Sequence, residues 1–476
     1  MLLTEGVMDI PGKTALGRRP GCVDAPTNKH TIGLLMHFCY PFGLNRSPFT
    51  WILDVSRYRQ PIAAAGLVVC LAADLALAQE AVKSDPATSV SPQSAIAGKL
   101  ATHTQIVANS EESAMLVQGS EEALVDAIVL YGQIVKNGGW PEITGKKLSK
   151  GARGDQVLML RQRLIFENYL PFETLGGPNG SLFDAQMVEA VKAFQINHGV
   201  APTGTVGERT LAELNITAAA RLSTLRENQA RVATYLQGLG ERYILVNIPS
   251  AQLETVERGR VFSRHNIVAG KLDRPSPTLM SKVSDITFNP YWKAPASIVE
   301  RDIIPHYLKD PTYLRKMQIR VFDGVDGPEI DPAAVDWANT PPEQYFFRQE
   351  PGENNALATV KINFPNKYMV YMHDTPHREL FGSNARFESS GCIRVDQVRT
   401  VINWILRGQA DYREDNYDQI VASRQPNELK VQDPPDVRFM YLTAWATPEG
   451  AVNFRPDIYG LDGTGFVIGQ PGPSSL

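Results

Sequence analysis

Read along its apolar positions, the chain changes texture more than once. The first apolar block is short and flanked by charge: Arg57 and Arg59 lead into Pro61–Ala73, followed by Ala76-Leu-Ala78 and Gln79. A basic flank, a short apolar core and a small-x-small triplet make a secretory signal at about 57–78, cleaved after Ala78. The run is followed by Asp74 and is shorter than the roughly 20 apolar residues a membrane span needs. Residues 1–78 therefore read as a leader, with translation starting at Met36 or an unusual extension ahead of the signal. Val69 stands where lipoprotein signals want a small residue, which argues against a lipid on Cys70. The expectation is an exported, periplasmic protein with no stable membrane anchor once the signal is removed.

Residues 79–147 read as a linker rich in Ala, Ser, Thr and Gln, followed by a helical scaffold. Ser120 is placed to cap a helix whose apolar face carries Leu124, Ile128, Leu130 and Ile134, and Asn137-Gly-Gly-Trp-Pro141 stops it. Residues 148–216 carry three more helical patterns. Val157, Leu160 and Leu164 follow Gly151 and Gly154; Asp184 caps a run through Val188, Val191 and Phe194; a short third helix ends at Leu214-Asn215. Residues 217–240 form a connecting amphipathic helix with Leu222, Leu225, Val232 and Leu236 on one face.

At Tyr243 the period becomes that of strands. Strands are predicted at Tyr243–Ile248, Val261–Val268, Asp285–Phe288, Thr359–Phe364 and Tyr368–His373. A proline-rich, partly helical stretch at about 293–347 interrupts them and reads as an inserted lid. The strand region spans 241–461, and 462–476 is a C-terminal tail.

Composition narrows the function. A net charge of −4 offers no basic stripe for nucleic acid, and 33 prolines with 37 glycines fit a loop-rich, partly β chain. The four cysteines are Cys22, Cys39, Cys70 and Cys392, so cleavage after Ala78 leaves only Cys392. A lone thiol in an oxidising compartment has no internal disulfide partner. Alone it reads as a small buried hydrophobe; its neighbourhood changes that.

In Tyr368–His373 side chains alternate, so Tyr371 and His373 share one face while Val370 and Met372 share the other. Eighteen residues separate His373 from Cys392, and the chain returns as Ser389-Ser-Gly-Cys-Ile-Arg-Val395. There Cys392 and Arg394 point one way, Ile393 and Val395 point into the core, and Asp396 caps a following helix. An imidazole or cation beside a thiol lowers its pKa and shuttles its proton. Gly391 leaves room for a substrate carbonyl, and the N–H groups of Gly391 and Cys392 are candidate oxyanion donors. His373 and His377 are four apart, but Pro376 between them breaks the helix a metal site would need. No metal or cofactor is expected. His377 reads as a loop residue and His265 as structural.

His373, the Ser-x-Gly-Cys-Ile-Arg segment, Tyr371-Met-His-Asp-Thr-Pro376, Arg348-Gln-Glu-Pro-Gly352 and Phe288-Asn-Pro-Tyr-Trp292 resemble the L,D-transpeptidases, in their long periplasmic form. Many members have histidine where this chain has Ser390, which leaves His373 as the only nearby base. Residues 148–216 resemble a three-helix peptidoglycan-binding domain, through the Gly151/Gly154/Val157 opening and Ala190-Val191-x-x-Phe194-Gln195. The resemblance implies an α+β multidomain protein: a mainly-β catalytic domain with an inserted capping subdomain, behind a helical scaffold and wall-binding-like module. It implies Cys392 as nucleophile and His373 as base, with Gly391, Arg394, Tyr371 and Ser390 positioning substrate. It also implies peptidoglycan stem peptides as substrate and carbapenem-type inhibitors as acylating agents. The tetrapeptide stem is cleaved before its terminal D-alanine through a Cys thioester, which a stem amine, a protein lysine or water resolves. The outcome is a 3→3 cross-link in cell-wall organisation, an anchored protein, or carboxypeptidase action. The alternative class is a non-catalytic wall-binding scaffold.

Overall fold

The computed structural model describes residues 113–468 except 146, 177, 178 and 467. The predicted signal at 57–78, Cys22, Cys39, Cys70 and nearly all of the linker lie outside the described residues.

Helix α1 (Ser120–Lys136) buries Leu124, Ala127, Tyr131 and Ile134, a stripe at helical spacing. Ser120 does not cap it: Gly119 holds the N-cap in a left-handed conformation, and the Ser120 hydroxyl instead accepts from the Val117 N–H at 3.0 Å. Helices α2 (Asp155–Phe166), α3 (Ala185–Asn197) and α4 (Glu208–Asn215) close on a core of Val157, Leu160, Leu164, Phe183, Val191, Phe194 and Leu214. Asp184 caps α3 by accepting from the Met187 N–H at 2.9 Å. Gln195 has a structural task. Its amide donates to Thr203, Thr205 and Thr210 and its carbonyl accepts from the Gly204 N–H, pinning the 203–210 turn to α3. Helix α5 (Ala218–Leu236), capped by the Thr217 hydroxyl, buries Leu222, Leu225, Val232 and Tyr235.

The strands follow as β1 (Arg242–Asn247), β2 (Gln252–Glu257), β3 (Arg260–Gly270), β4 (Leu279–Lys282) and β5 (Asp285–Phe288). In the inserted segment lie β6 (Trp292–Lys293), β7 (Ile319–Phe322) and β8 (Phe346–Gln349). After it come β9 (Val360–Asn363), β10 (Met372–His373), β11 (Phe387–Ser389), β12 (Ile393–Val395), β13 (Asn427–Lys430) and β14 (Asp436–Met440). The main sheet runs β13-β5-β9-β10-β12-β3-β2-β1-β14-β4, with β11 added on β3. Pairing is mixed: β10/β12, β1/β14 and β3/β11 are parallel.

Both faces of the sheet are covered around β1. Ile244 and Val246 enter one core with helix α6 (Val398–Leu406), while Tyr243 and Leu245 enter another against α1 and α5. Burial on both sides is why β1 reads as a continuous apolar run. Around β9, β10 and β12 only one face is in the core: Val360, Ile362, Met372, Ile393 and Val395. Their other face carries the candidate site.

Two expectations change here. The predicted strand Tyr368–His373 pairs only at Met372–His373, because Met369 takes φ +57° and is 83% exposed at a turn held by the Asn366 side chain. The predicted alternation survives, with Val370 and Met372 both in the core. Asp396 is not the cap of α6. Its N–H extends the β12/β3 pairing to the Asn266 carbonyl, and Gln397, at φ +45°, makes the turn into the helix.

The inserted segment has a core of its own, from Val299, Ile303, Leu314, Ile319, Val321 and Phe347. Its two crossings are tied together where the sequence showed Asn289-Pro-Tyr-Trp and Arg348-Gln-Glu. The Asn355 amide donates to the carbonyls of Pro290 (3.0 Å) and Glu350 (2.9 Å), and the Gln349 amide donates to those of Met317 and Asn354. Asp462, read as the start of a tail, belongs to the folded unit: it accepts from Arg231 at 2.6 Å and from Thr443 at 2.8 Å. Among the described residues no helix is long and apolar enough to cross a membrane.

Candidate active site

In the parallel β10/β12 pair Met372 faces Ile393 and His373 faces Arg394, while the Ile393 N–H donates to the Tyr371 carbonyl. Met372 and Ile393 point into the core, so Tyr371, His373, Cys392 and Arg394 emerge together on the opposite face. On the far side of β10, Lys361 of β9 pairs with His373 and shares that face.

Cys392 is a free, half-buried thiol. Burial pushes its pKa up; hydrogen bonds from the Tyr371 backbone and hydroxyl, and the charges of Lys361 and Arg394, oppose that rise. The Tyr371 hydroxyl is also bonded to the Trp292 indole at the root of the inserted segment. His373 is buried, and its Nδ1 meets the Asp374 carbonyl at 2.5 Å. A carbonyl only accepts, so Nδ1 carries the proton and Nε2 keeps its lone pair. Burial first, then the Arg394 charge, lower the His373 pKa to about 3. Thiol and imidazole are therefore both neutral at rest. This departs from the expectation of a thiol depressed by an adjacent imidazolium: a cation is disfavoured in a buried site already flanked by Lys361 and Arg394.

The turn before the thiol is internally bonded. Gly391 has φ +107°, and an added Cβ there would meet nothing nearer than 3.5 Å, so backbone conformation rather than space calls for glycine. Its N–H donates to the Ser389 hydroxyl at 3.1 Å, which in turn donates to the Cys392 carbonyl at 2.5 Å. The Gly391 carbonyl accepts from Ser276 at 2.8 Å. The Gly391 N–H is thus committed to Ser389. The Cys392 N–H has no backbone or side-chain acceptor among the described residues and is the uncommitted one of the two candidate donors.

Ser390 is exposed and turned toward Arg274, whose Nη1 donates to it at 3.0 Å and to Asp302 of the inserted segment at 2.8 Å. Arg274 thereby ties the inserted segment to the turn that carries Cys392. Arg394 is half-buried with no carboxylate partner among the described residues, and its Nε has no hydrogen bond. Burial lowers its pKa. Such an arginine is available to a substrate carboxylate. Away from the site, His377 is exposed and 3.3 Å from Glu379. His265 is buried between the Asp396 carbonyl (2.8 Å) and the Ser263 hydroxyl (2.7 Å), with its pKa lowered to about 4 by burial. A cleft of about 370 Å³ opens beside the end of β10, lined by Gly352, Thr359, Asp374, Thr375, Pro376 and Arg424.

Sequence reasoning missed Lys361, Arg274 and Asp302, and it quoted Trp292 without a role. Lys361 carried a signal: one charge between Val360 and Ile362 in an alternating strand. Arg274 and Asp302 lie in loop and insert, where no period marks a direction.

Comparison with known proteins matches residues 241–416 to the L,D-transpeptidase catalytic domain and residues 153–214 to the family described as "Putative peptidoglycan binding domain". A Haemophilus influenzae protein named "Putative L,D-transpeptidase" is 33% identical over 220 residues; the match spans 46% of this chain and 44% of the relative. Two crystal structures also match, both titled as L,D-transpeptidases. The one from Xylanimonas cellulosilytica is 15% identical with TM-score 0.20, and the match covers 62% of this chain and 98% of that one. The one from Stackebrandtia nassauensis is 12% identical with TM-score 0.23, over 63% and 96% respectively. At those scores the assignment rests on the sequence matches. Residues 241–416 are thus similar to the L,D-transpeptidase catalytic domain, and a segment similar to a peptidoglycan-binding domain lies ahead of them.

Proposed function

We propose that this exported protein cross-links peptidoglycan stems through a thioester on Cys392. The observation that carries the reading is geometric: Cys392 and His373 share one sheet face, and His373 Nδ1 is bound to the Asp374 carbonyl, which leaves Nε2 to accept a proton. Sγ attacks the carbonyl carbon of the third stem residue as its proton passes to His373 Nε2. The Cys392 N–H, uncommitted in the resting site, is the donor available to the developing oxyanion. The C–N bond then breaks, the proton moves from His373 to the leaving D-alanine amine, and the thioester remains. An acceptor amine attacks that carbonyl, giving its proton to His373. The C–S bond breaks and the thiolate is reprotonated.

The three-helix domain fits retention on the wall, and its docking gives that reading a fold control. Arg455 Nη1 donates to the Asn197 carbonyl at 2.8 Å, and His198 stacks on Phe194, with ring centroids 3.8 Å apart, and on Phe454 at 5.4 Å. One experiment tests both parts: sacculi are incubated with the full chain and with a chain lacking residues 148–216, then sedimented and digested. New 3→3 linkages with the full chain, and weaker retention of a shortened chain that a carbapenem still acylates, are expected. Digests without 3→3 linkages, or unchanged sedimentation, would contradict the corresponding half.

A further inference from the structure

Lys361 has no task in the steps above, yet it is set into the same face. Ile362 beside it is in the core, so the alternation of β9 turns Lys361 to the site side, directly across from His373. Its ammonium lies 4.3 Å from the centroid of the Tyr371 ring. It is half-buried, and no carboxylate or hydrogen-bond acceptor among the described residues lies in contact with it. Cys392, Asp285 and Glu428 act on it only through their field, against that of Lys293, and Asp285 and Glu428 each have a lysine partner in Lys430. A long, flexible cation held in a partly dry site without a counter-ion is costly unless something anionic visits it.

The order across the sheet says which anion. Moving from β12 through β10 to β9, one meets the nucleophile Cys392, then the base His373, then Lys361. The base must reach the leaving nitrogen to protonate it, so the leaving group lies over His373, and Lys361 lies beyond. In a stem ending in D-alanine, a carboxylate sits on the carbon bonded to that nitrogen. We propose that Lys361 binds the α-carboxylate of the amine component, so that the site selects amines carrying one. An acceptor amine that gives its proton to the same His373 approaches the thioester from the same side. A wall diamino acid offers an amine beside a carboxylate; a protein lysine ε-amine and water do not. The inference rests on the transpeptidase reading and deepens it, favouring a stem acceptor over a protein or hydrolysis. No new step is added: C–N forms, C–S breaks, and the amine proton leaves through His373.

The test resolves a preformed stem acyl-enzyme with D-alanine, D-alaninamide or the ε-amine of Nα-acetyl-lysine, and reads product ratios by mass spectrometry. The unaltered protein should favour D-alanine over its amide by about tenfold or more, the range of one charge-assisted contact. Lys361→Met should bring that ratio close to one, and Lys361→Arg should keep most of it. A second reading needs no stem peptide: iodoacetate and iodoacetamide compete for Cys392, followed on its own tryptic peptide. Lys361→Met should lower labelling by the anionic reagent relative to the neutral one, and neutral labelling reports that the variant is folded. An unaltered protein indifferent to the carboxylate, or a Lys361→Met variant with the original ratios in both assays, overturns the proposal. A protein that never forms a stem acyl-enzyme defeats the transpeptidase reading instead, and the alkylation ratio still judges Lys361.

Discussion

Cys392→Ala is expected to remove covalent acylation entirely while leaving the fold intact. With a carbapenem, the intact mass of the unaltered protein should rise by one adduct, and that of the variant should not change. The size of the effect follows from the chemistry: no other cysteine lies among the described residues, and Ser389 and Ser390 cannot substitute. The Ser389 hydroxyl is engaged with the Gly391 N–H and the Cys392 carbonyl, and Ser390 is turned to Arg274. Stability should be little affected. The side chain is half-buried and packs only at the edge of the main core, so trimming one sulfur removes little apolar contact. An adduct of unchanged mass on the alanine variant would place the nucleophile elsewhere.

His373→Gln should slow acylation by roughly 10²–10⁴-fold near neutral pH, the usual contribution of a general base. Because the thiol is neutral at rest, the loss also changes the shape of the pH profile. In the proposed mechanism the reactive form of the unaltered protein is neutral thiol with neutral imidazole. Burial lowers the imidazole to about 3 and raises the thiol, so the rate should be flat across roughly pH 4–8, with no break near an ordinary histidine value. In the variant only the thiolate attacks, so its rate should climb about tenfold per pH unit until the thiol titrates. Stopped-flow acylation across that range checks both. A profile of the unaltered protein falling through pH 6.5, or a variant with a flat profile, would mean that the proton leaves by another route.

Much of this site was legible in the sequence because period-2 alternation is a strong constraint. Val370/Met372 against Tyr371/His373, and Ile393/Val395 against Cys392/Arg394, assign faces before any coordinates exist, and the structure keeps both assignments. The helices at 120–136 and 218–236 were legible for the same reason at a period of 3.6. What stayed hidden depends on contacts distant in sequence. Strand β2 carries Glu254, which looks exposed, but it is buried because Arg264 meets it at 2.8 Å and the Met115 N–H donates to it. Strand β14 carries Arg438, buried against the end of α5 through the Tyr235 and Gln237 carbonyls. Both break the apolar pattern that marks a strand. The protonation states were also out of reach, since they follow from how deeply β10 lies and from the cations on either side. The same is true of Gly391, whose N–H looked available until Ser389 was seen to accept from it.

The most direct measurement is intact-mass spectrometry of the unaltered protein mixed with a soluble tetrapeptide stem and quenched early in acid. The account predicts a species heavier by the stem minus D-alanine, carried on the tryptic peptide that contains Cys392, with one free D-alanine released per adduct. Neither adduct nor released D-alanine, from a protein whose Cys392 still reacts with iodoacetamide, would contradict it and leave a wall-binding scaffold in its place.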